Sequence, residues 1–355
     1  MILETGLPRN HHRPVPAASH SLPVLPALLL GLLCATVAPP GAAAEIIGKE
    51  VRLGRGVNII GYDPIWRARD QARFQEKHFQ LLKDAGFNHV RVNLHPFGQM
   101  DGAKNWELPV KWFDTVDWVL AGAGKAGLMV ILDLHEFNVM GRDPEGNKEK
   151  FLAFWRQVST HYKDQPEAVL FEILNEPNGT LTPKLWNQYL SEALGIIRAS
   201  NPHRTVIVGP GYWNSIDRLD ELELPDKDRN LLVTVHYYKP MEFTHQGAAW
   251  APQYVNKTGV EWLGTESETQ ALRTDFNKVA GWAKRNQRLI LLGEFGAYDK
   301  GPMPSRECYT AAVARAAEQR GWSWSYWQFD SDFILFDIKQ DHWVEPILRA
   351  LIPRP

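Results

Sequence analysis

Apolar runs of about five to seven residues alternate with longer amphipathic stretches along the chain after Glu45. The apolar runs are rich in β-branched and aromatic residues, which predicts strands that are buried on both faces. Eight strands are predicted, at residues 56–61, 88–94, 128–134, 168–174, 204–208, 231–236, 289–293 and 322–328. Helical patterns follow most of them, at residues 71–85, 110–126, 148–162, 183–200, 268–284, 305–320 and 343–351.

This alternation predicts parallel strands, and eight such units predict a closed (β/α)8 TIM barrel, a single catalytic domain over residues 45–355. The alternative is an open doubly wound sheet, which needs a glycine-rich phosphate loop after its first strand. A GxGxxG pattern does occur, from Gly122 to Gly127, but it closes a predicted helix and precedes a strand. Dinucleotide-binding loops have the reverse order, so the barrel is the better interpretation.

Polar residues cluster at the predicted C-terminal ends of the strands, which carry the catalytic groups in parallel barrels. They are Arg91, Asn93 and His95; Asp133, His135 and Glu136; Asn175 and Glu176; His236, Tyr237 and Tyr238; Glu294; and Trp327 and Gln328. The opposite strand ends carry no comparable cluster. Stability gives a strand no reason to collect charge at one end, so we expect the active site here.

Two of these strands end in glutamate. Residues 169–177 read VLFEILNEP and residues 289–296 read LILLGEFG, so apolar runs deliver Glu176 and Glu294 to the same end of the barrel. Cleavage of a glycosidic bond uses a pair of carboxyl groups, and two such strands lying side by side would supply it. The alternative is a structural role for each carboxyl group, which is costly at the end of so apolar a strand.

A series of motifs resembles glycoside hydrolase family 5, the retaining (β/α)8 enzymes that include many bacterial cellulases. The motifs are VRVNL, ILDLHEF, EILNEPNG, VHYY, LLGEFG and WSYWQF, in that order, and the resemblance spans roughly residues 47–343. It implies that Glu176 is the acid/base and Glu294 the nucleophile. It also implies a supporting role for Arg91, His135, Asn175, His236, Tyr238 and Trp327.

The chemistry of these residue types agrees with the implied roles. Arg91 and Tyr238 would favour the ionised form of Glu294, whereas the charge of Glu294 and partial burial would raise the pKa of Glu176. Asn175 would donate to the sugar 2-hydroxyl.

The remaining polar residues have less specific expected roles. His135 and His236 would bind hydroxyls or orient Glu176, and Trp327 would offer a flat face to the sugar. Asp133 is expected to be scaffold, with Arg91 as its possible partner. Sugar contact and scaffold both stay open for His95 and Glu136.

The chain contains 14 tryptophans, several of them in predicted loops. Exposed indoles suit stacking on sugar rings, and the loop candidates are Trp66, Trp106, Trp213, Trp250 and Trp262. Trp213 is the favoured platform because it follows the fifth strand at the catalytic end. Tryptophans in helical patterns are expected in the core, namely Trp112, Trp118, Trp155, Trp186 and Trp282.

The sequence favours none of three other classes of protein. A zinc hydrolase is suggested by Asp133, His135 and Glu136, but the chain has no HExxH, HxH or CxxC spacing, so neither a metal nor another cofactor is expected. A serine hydrolase would need GxSxG, which is absent from the sequence. A catalytically inert carbohydrate-binding barrel would be expected to lack one of the two carboxylates.

The expected substrate is a β-linked glucan. An endo-β-1,4-glucanase acting on soluble or amorphous glucan is favoured, because the barrel top carries no large inserted lid. A mannanase or a xyloglucanase of the same fold is the alternative. The formal net charge is −2 and no basic patch stands out, which disfavours a nucleic-acid partner; a monomer is the default expectation.

Residues 1–44 have the layout of a flexible N-terminus with a secretion signal. Arg9 and Arg13 precede an apolar segment at residues 22–37, and small residues follow at 42–44. The apolar segment is short for a membrane span and contains prolines. A secreted enzyme, extracellular or periplasmic and without a membrane association after cleavage, is therefore expected.

Overall fold

The structure, a computed structural model, describes residues 52–353. Eight parallel strands form a closed barrel, in which the first strand pairs with both the second and the eighth. They are β1 (Arg55–Ile59), β2 (His89–Leu94), β3 (Met129–Leu134), β4 (Val169–Glu172), β5 (Val206–Val208), β6 (Leu231–Tyr237), β7 (Leu289–Phe295) and β8 (Ser323–Tyr326). The predicted (β/α)8 barrel is confirmed.

Helices follow the strands in the predicted order. They are α1 (Glu76–Ala85), α2 (Val110–Lys125), α3 (Phe137–Arg142), α4 (Pro144–His161), α5 (Pro183–Ser200), α6 (Gly211–Asn214), α7 (Met241–Thr244), α8 (Glu266–Asn286), α9 (Met303–Glu318) and α10 (Glu345–Leu351). The short elements α3, α6 and α7 were not predicted, nor was the hairpin of β9 (Phe336–Asp337) and β10 (His342–Trp343). These elements are too short for side-chain periodicity to reveal them.

Capping residues explain where two of the helices begin. The side chain of Asp143 accepts a hydrogen bond from the Gly146 amide, so α4 begins at Pro144, earlier than predicted. Helix α8 begins at a capping box, in which Thr265 and Glu268 satisfy each other's backbone amides. Both signals are local, but each lies a few residues before the amphipathic pattern becomes clear.

The barrel interior has an apolar lower layer and a polar upper layer. Its lower layer is a separate cluster of buried side chains: Leu53, Ile131, Leu170, Ile207, Leu232 and Leu291. Alternate residues of a strand share one face, so Asp133 follows Ile131 on β3, and Glu172 follows Leu170 on β4, two positions closer to the C-terminal end. Both carboxyl groups are fully buried. The lower layer therefore supports a charged layer directly above it.

Among residues 52–353, no helix combines the length and the apolar character needed to cross a membrane. The secretion signal predicted for residues 1–44 lies outside the described residues.

Arg204 ties the segment between α4 and β4 to the start of β5. Its guanidinium is almost fully buried and lies 4.8 Å from the centre of the Phe171 ring. It donates to the Asn201 side chain and to five backbone carbonyls, those of Tyr162, Lys163, Gln165, Pro166 and Val169. The planar fork of arginine can satisfy this set of acceptors at once, whereas the point charge of lysine cannot.

Replacing Arg204 with lysine should therefore lower stability strongly. Buried carbonyls left without donors cost about 1–3 kcal/mol each, so Arg204→Lys should lower the free energy of unfolding by about 3 kcal/mol. Urea denaturation followed by circular dichroism measures this change. The exposed Arg67 offers a matched control, since Arg67→Lys should stay within about 0.5 kcal/mol of the parent. An unchanged urea midpoint for Arg204→Lys would contradict the role given to this network.

Candidate active site

Glu176 and Glu294 face each other at the C-terminal end of the barrel. Glu176 lies in the loop after β4 and has a φ of 43°, a left-handed conformation that is uncommon for glutamate. Glu294 lies near the end of β7 and is 4% exposed. One oxygen of each carboxyl group lies within 4.8 Å of the other. The structure thus brings together the two glutamates that the sequence singled out.

His236 lies between the two carboxyl groups. Its Nδ1 is 2.7 Å from Oε1 of Glu176 and 3.5 Å from Oε2 of Glu294. A β-bulge between Val235 and His236 shifts the register of β6 against β7 and re-aims the residues that follow. Because the ring is buried, the pKa of His236 is lowered, although the charge of Glu294 opposes this shift. The ring is therefore neutral near neutral pH.

Both oxygens of Glu294 accept hydrogen bonds from side chains. Nη1 of Arg91 donates to Oε1 at 2.8 Å, and the hydroxyl group of Tyr238 donates to Oε2 at 3.0 Å. These are the two contacts expected to favour the ionised form of Glu294.

Arg91 is fully buried and binds more groups than the sequence indicated. It donates to both oxygens of Glu172, at 2.7 and 2.8 Å, and lies 3.1 Å from Asp133. It also donates to the side-chain oxygens of Asn58 and Asn175. Burial alone would lower the pKa of Arg91, but Asp133, Glu172 and Glu294 raise it well above its usual value. Arg91 is thus paired with Asp133, the possible partner that the sequence indicated, and it is also hydrogen-bonded to Glu294.

Glu172 and Asn58 were missed by the sequence reasoning. Glu172 is an acidic residue within an apolar strand, and this could have indicated a buried partner, because a fully buried carboxylate needs one. Asn58 is held by the carbonyls of Gly293 and Tyr326, which accept hydrogen bonds from its Nδ2. These contacts form only when the barrel closes, so the residues next to Asn58 in the sequence do not indicate them.

His135 and Trp327 form one side of the site. Nδ1 of His135 lies 2.6 Å from Oδ2 of Asp133, and its Nε2 lies 3.4 Å from Nδ2 of Asn175. The ring stacks on Trp327, with centroids 5.4 Å apart and planes inclined by 7°. His135 thereby covers one face of the indole, so a sugar ring can stack only on the opposite face.

His95 and Glu136, for which both sugar contact and a scaffold role were open, differ in their surroundings. Oε1 of Glu136 accepts a hydrogen bond from the backbone amide of Phe97 at 2.7 Å, which is a scaffold contact. His95 is partly buried and lies between the rings of Tyr62 and His135, with centroids 6.2 and 5.3 Å away. Tyr62 is 54% exposed and also approaches the edge of Trp327, so it belongs to the rim of the site, although the sequence reasoning did not select it.

The loop tryptophans separate into exposed and buried groups. Trp213 and Trp250 are 50% and 51% exposed, as a platform requires. Trp262 is 2% exposed and packs against Tyr309, so the expectation that it forms a sugar platform is wrong. Tyr309 lies on α9, so the indole of Trp262 packs beside that helix. Trp66 is partly buried, because its Nε1 donates to the Ile60 carbonyl and its ring stacks on Trp112.

Burial raises the pKa of both facing carboxyl groups. It raises the pKa of Glu294 to about 7, against the opposing effects of His236 and Arg91. Burial, with further contributions from Asp133 and Glu172, raises the pKa of Glu176 to about 8. The charge of Glu294 and partial burial were both expected to raise the pKa of Glu176, and burial is the leading cause. Glu294 remains the stronger acid, because donors face both of its oxygens.

The same three side chains, Glu176, His236 and Glu294, form the group of possible metal ligands among residues 52–353. Both oxygens of Glu294 already accept hydrogen bonds, and a cation bound there would face the guanidinium of Arg91. The arrangement therefore fits a carboxyl pair that shares protons better than it fits a metal centre.

Comparisons with known proteins agree with this geometry. The sequence profile of the family "Cellulase (glycosyl hydrolase family 5)" matches residues 49–332. Endoglucanase H of Acetivibrio thermocellus is 29% identical over 330 residues, which cover 89% of this chain. Cellodextrinase A of Ruminococcus flavefaciens is 25% identical over 263 residues, covering 71% of this chain and 76% of that protein. The chain spans about a third, 35%, of the length of Endoglucanase H.

Solved structures share the whole barrel. Cel5A of Thermotoga maritima in complex with cellobiose is 40% identical, with a TM-score of 0.80 over 85% of this chain and 98% of that one. The cellulose synthase subunit Z of Clostridioides difficile is 36% identical, with a TM-score of 0.79 over 84% of this chain and 99% of that one. With its paired carboxyl groups at the C-terminal end of a closed barrel, the chain belongs to glycosyl hydrolase family 5 and is a glycoside hydrolase.

Proposed function

We propose that this protein is a secreted, retaining endo-β-1,4-glucanase that cleaves internal bonds of soluble or amorphous β-glucans. The observation that carries the retaining mechanism is the short separation of Glu176 and Glu294, whose nearest oxygens lie within 4.8 Å. Retaining glycosidases hold their carboxyl groups roughly 5–5.5 Å apart, whereas inverting enzymes need about 6.5–9.5 Å to admit a water molecule. The separation supports direct attack by one carboxylate.

In the first step, ionised Glu294 attacks the anomeric carbon of the sugar. The glycosidic C–O bond breaks, and protonated Glu176 transfers its proton to the departing oxygen. The product is a covalent ester between Glu294 and the sugar, and Glu176 is left as a carboxylate. Asn175 is the proposed partner of the 2-hydroxyl group. Arg91 donates to its Oδ1, and its Nδ2, which lies 3.4 Å from Nε2 of His135, carries a second hydrogen for the sugar.

In the second step, a water molecule replaces the departed sugar. The Glu176 carboxylate takes a proton from that water, whose oxygen attacks the anomeric carbon and releases Glu294. Two inversions in succession return the β configuration. The unequal surroundings of the two carboxyl groups support these roles, because Arg91 and Tyr238 donate to the carboxylate of Glu294, whereas the carboxyl group of Glu176 is hydrogen-bonded to the neutral ring of His236.

The glucan assignment is supported by relatives that are named endoglucanases. A mannan-cleaving enzyme is the alternative, and one observation favours it. Thermotoga maritima Cel5A, 39% identical to this chain, was also solved in complex with a mannotriose substrate. A xyloglucanase of the same fold is a further alternative. Two exposed residues, Trp213 in the short element α6 and Trp250 in the segment after α7, are the proposed stacking platforms for sugar units.

The proposal includes export. The basic, apolar and small-residue pattern of residues 1–44 supports a cleaved secretion signal, which would leave residues 45–355 as the catalytic domain.

The substrate is tested by a panel of four polymers. We expect the purified protein to lower the viscosity of carboxymethylcellulose and barley β-glucan rapidly, with reducing-sugar release, and to act more slowly on xyloglucan and galactomannan. Glu294→Ala should reduce all rates at least about 10³-fold. Proton NMR of fresh digests should show the β anomer first. Activity confined to galactomannan would establish the mannanase alternative, and an initial α anomer would contradict the retaining mechanism.

The acid role of Glu176 is tested by leaving-group dependence. Glu176→Gln should lower kcat/KM for phenyl β-cellobioside about 10²–10⁴-fold, because phenol leaves poorly without a proton. The 2,4-dinitrophenyl glycoside should lose far less, because its leaving group needs no proton. Glu149→Gln, on the exposed surface of α4, is the control and should match the parent on both substrates. Equal losses of the Glu176 variant on both would argue against an acid role.

The pH profile of kcat/KM should be a narrow bell. Activity requires ionised Glu294 and protonated Glu176, so the limbs should lie near the pKa values of about 7 and about 8. Tyr238→Phe removes a donor to the ionised form of Glu294, which raises its pKa and should move the acidic limb up by about one pH unit. Tyr309→Phe, a buried tyrosine bonded to the Tyr237 carbonyl, should leave that limb in place. An acidic limb that moves down would overturn this assignment.

A further inference from the structure

Asn214 is fully buried beside the proposed catalytic residues, at the end of α6, a single four-residue turn whose backbone is left-handed. Tyr212, Trp213 and Asn214 have φ values of 54°, 62° and 52°, three successive residues in the left-handed region. Such a run is costly for ordinary side chains and persists where the surrounding structure holds it, which is common at functional sites. Gly209 makes room for the turn, since a Cβ there would lie 2.1 Å from Oδ1 of Asn214.

The turn is fastened to both catalytic segments that it adjoins. The backbone amide of Trp213 donates to the carbonyl of Pro177, the residue after Glu176, at 3.1 Å. On its other side, Ser215 forms a parallel β-bridge with His236. The side chain of Asn214 is thus held in a fixed position relative to Glu176 and His236.

A chain of two hydrogen bonds joins Asn214 to Glu176. Nδ2 of Asn214 lies 3.2 Å from Nε2 of His236, and Nδ1 of the same ring lies 2.7 Å from Oε1 of Glu176. An amide nitrogen can only donate, so Nε2 must be the unprotonated nitrogen of the neutral ring. The ring proton then lies on Nδ1 and is donated to Oε1 of Glu176.

We infer that Asn214 is a positioning residue that fixes the tautomer of His236 and thereby decides which oxygen of Glu176 carries the catalytic proton. Because Oε1 accepts the Nδ1 proton, the acid proton belongs on Oε2, where it is available to the glycosidic oxygen. The inference rests on the proposed acid/base role of Glu176. Asn214 contacts no reacting atom itself and acts on Glu176 through the ring of His236.

The proton balance closes over both steps. In the first step, Oε2 of Glu176 gives its proton to the departing oxygen, and the resulting carboxylate keeps the bond from Nδ1 of His236. In the second, a proton from the attacking water returns to Oε2. The imidazole stays neutral and keeps its own proton throughout.

Charged and titratable groups surround this ring on several sides. They are Glu176 and Glu172 from β4 and its loop, Glu294 from β7, Arg91 from β2 and Asp133 from β3. None of these groups forms a hydrogen bond with Nε2 of His236. Among residues 52–353, the hydrogen bond to that atom comes from the side-chain amide of Asn214.

The opposite tautomer would misplace the acid proton. If Nε2 carried the ring proton, Nδ1 would accept from Glu176, and the acid proton would lie on Oε1, bonded to the ring. Asn214→Asp produces this reversal with little change of shape, because a carboxylate can only accept from Nε2. Aspartate also tolerates the left-handed backbone, as does glycine in Asn214→Gly, which removes the donor.

Two aryl glycosides of equal sugar length provide the kinetic test. For Asn214→Asp, we expect kcat/KM for phenyl β-cellobioside to fall at least about tenfold relative to that for 2,4-dinitrophenyl β-cellobioside, which needs little acid assistance. Asn214→Gly should change the ratio in the same direction by less. The matched control is Asn105, an exposed asparagine with a φ of 51°, whose aspartate and glycine variants should keep the parent ratio.

Nitrogen-15 NMR of histidine-labelled protein provides the structural test. In the parent, Nε2 of His236 should have the shift of an unprotonated nitrogen, and in Asn214→Asp that of a protonated one. A parent Nε2 that is already protonated, an unchanged ratio in Asn214→Asp, or equal losses on both substrates would overturn the inference. Glu176→Gln is measured in parallel: a leaving-group effect there with none in the Asn214 variants rejects this inference alone, whereas no effect there rejects the acid role itself.

Discussion

The buried guanidinium of Arg91 is the interaction on which the rest of the site depends. It lies among the carboxyl groups of Asp133, Glu172 and Glu294, each of which would be uncompensated without it. The same group fixes the oxygen of Asn175, and through Asp133 it orients His135. A single cation, inaccessible to water, thus sets the geometry of the proposed nucleophile, of the proposed sugar-binding amide and of one histidine.

The two facing carboxyl groups, Glu176 and Glu294, differ because of what surrounds them. Burial raises the pKa of both, and the hydrogen bonds then separate them. Glu294 accepts hydrogen bonds at both carboxyl oxygens from Arg91 and Tyr238, whereas the carboxyl group of Glu176 accepts one from His236. His236 lies within reach of each carboxyl group, so the state of its ring bears on both. The proposed role of Asn214 is to set the tautomer of that ring, and Asn214 lies on a left-handed turn outside the family motifs.

The fold separates stability from chemistry along the barrel axis. Leucines and isoleucines fill the lower layer, and the next inward-facing positions on the same strands carry Asp133 and Glu172. Networks such as that of Arg204 hold the connections between strands at a distance from the cleft. This division explains why the charged layer, costly in itself, is tolerated: the apolar layer beneath it and the surrounding helices supply the burial that stabilises the barrel.

The sequence alone determined the eight βα units, the resemblance to the family, and the choice of Glu176 and Glu294 as the candidate carboxyl pair, because strand burial and motif order are properties of neighbouring residues. It also indicated which end of the barrel is polar. Tertiary structure decided the rest: that Glu172 is a principal partner of Arg91, that Trp262 is buried, and that Asn214 reaches His236. Arg91 and Glu172 are 81 residues apart in the chain, and Asn58 lies 235 residues from the Gly293 carbonyl it contacts. Such contacts follow from barrel closure, strand register and one β-bulge, and local periodicity contains no information about them.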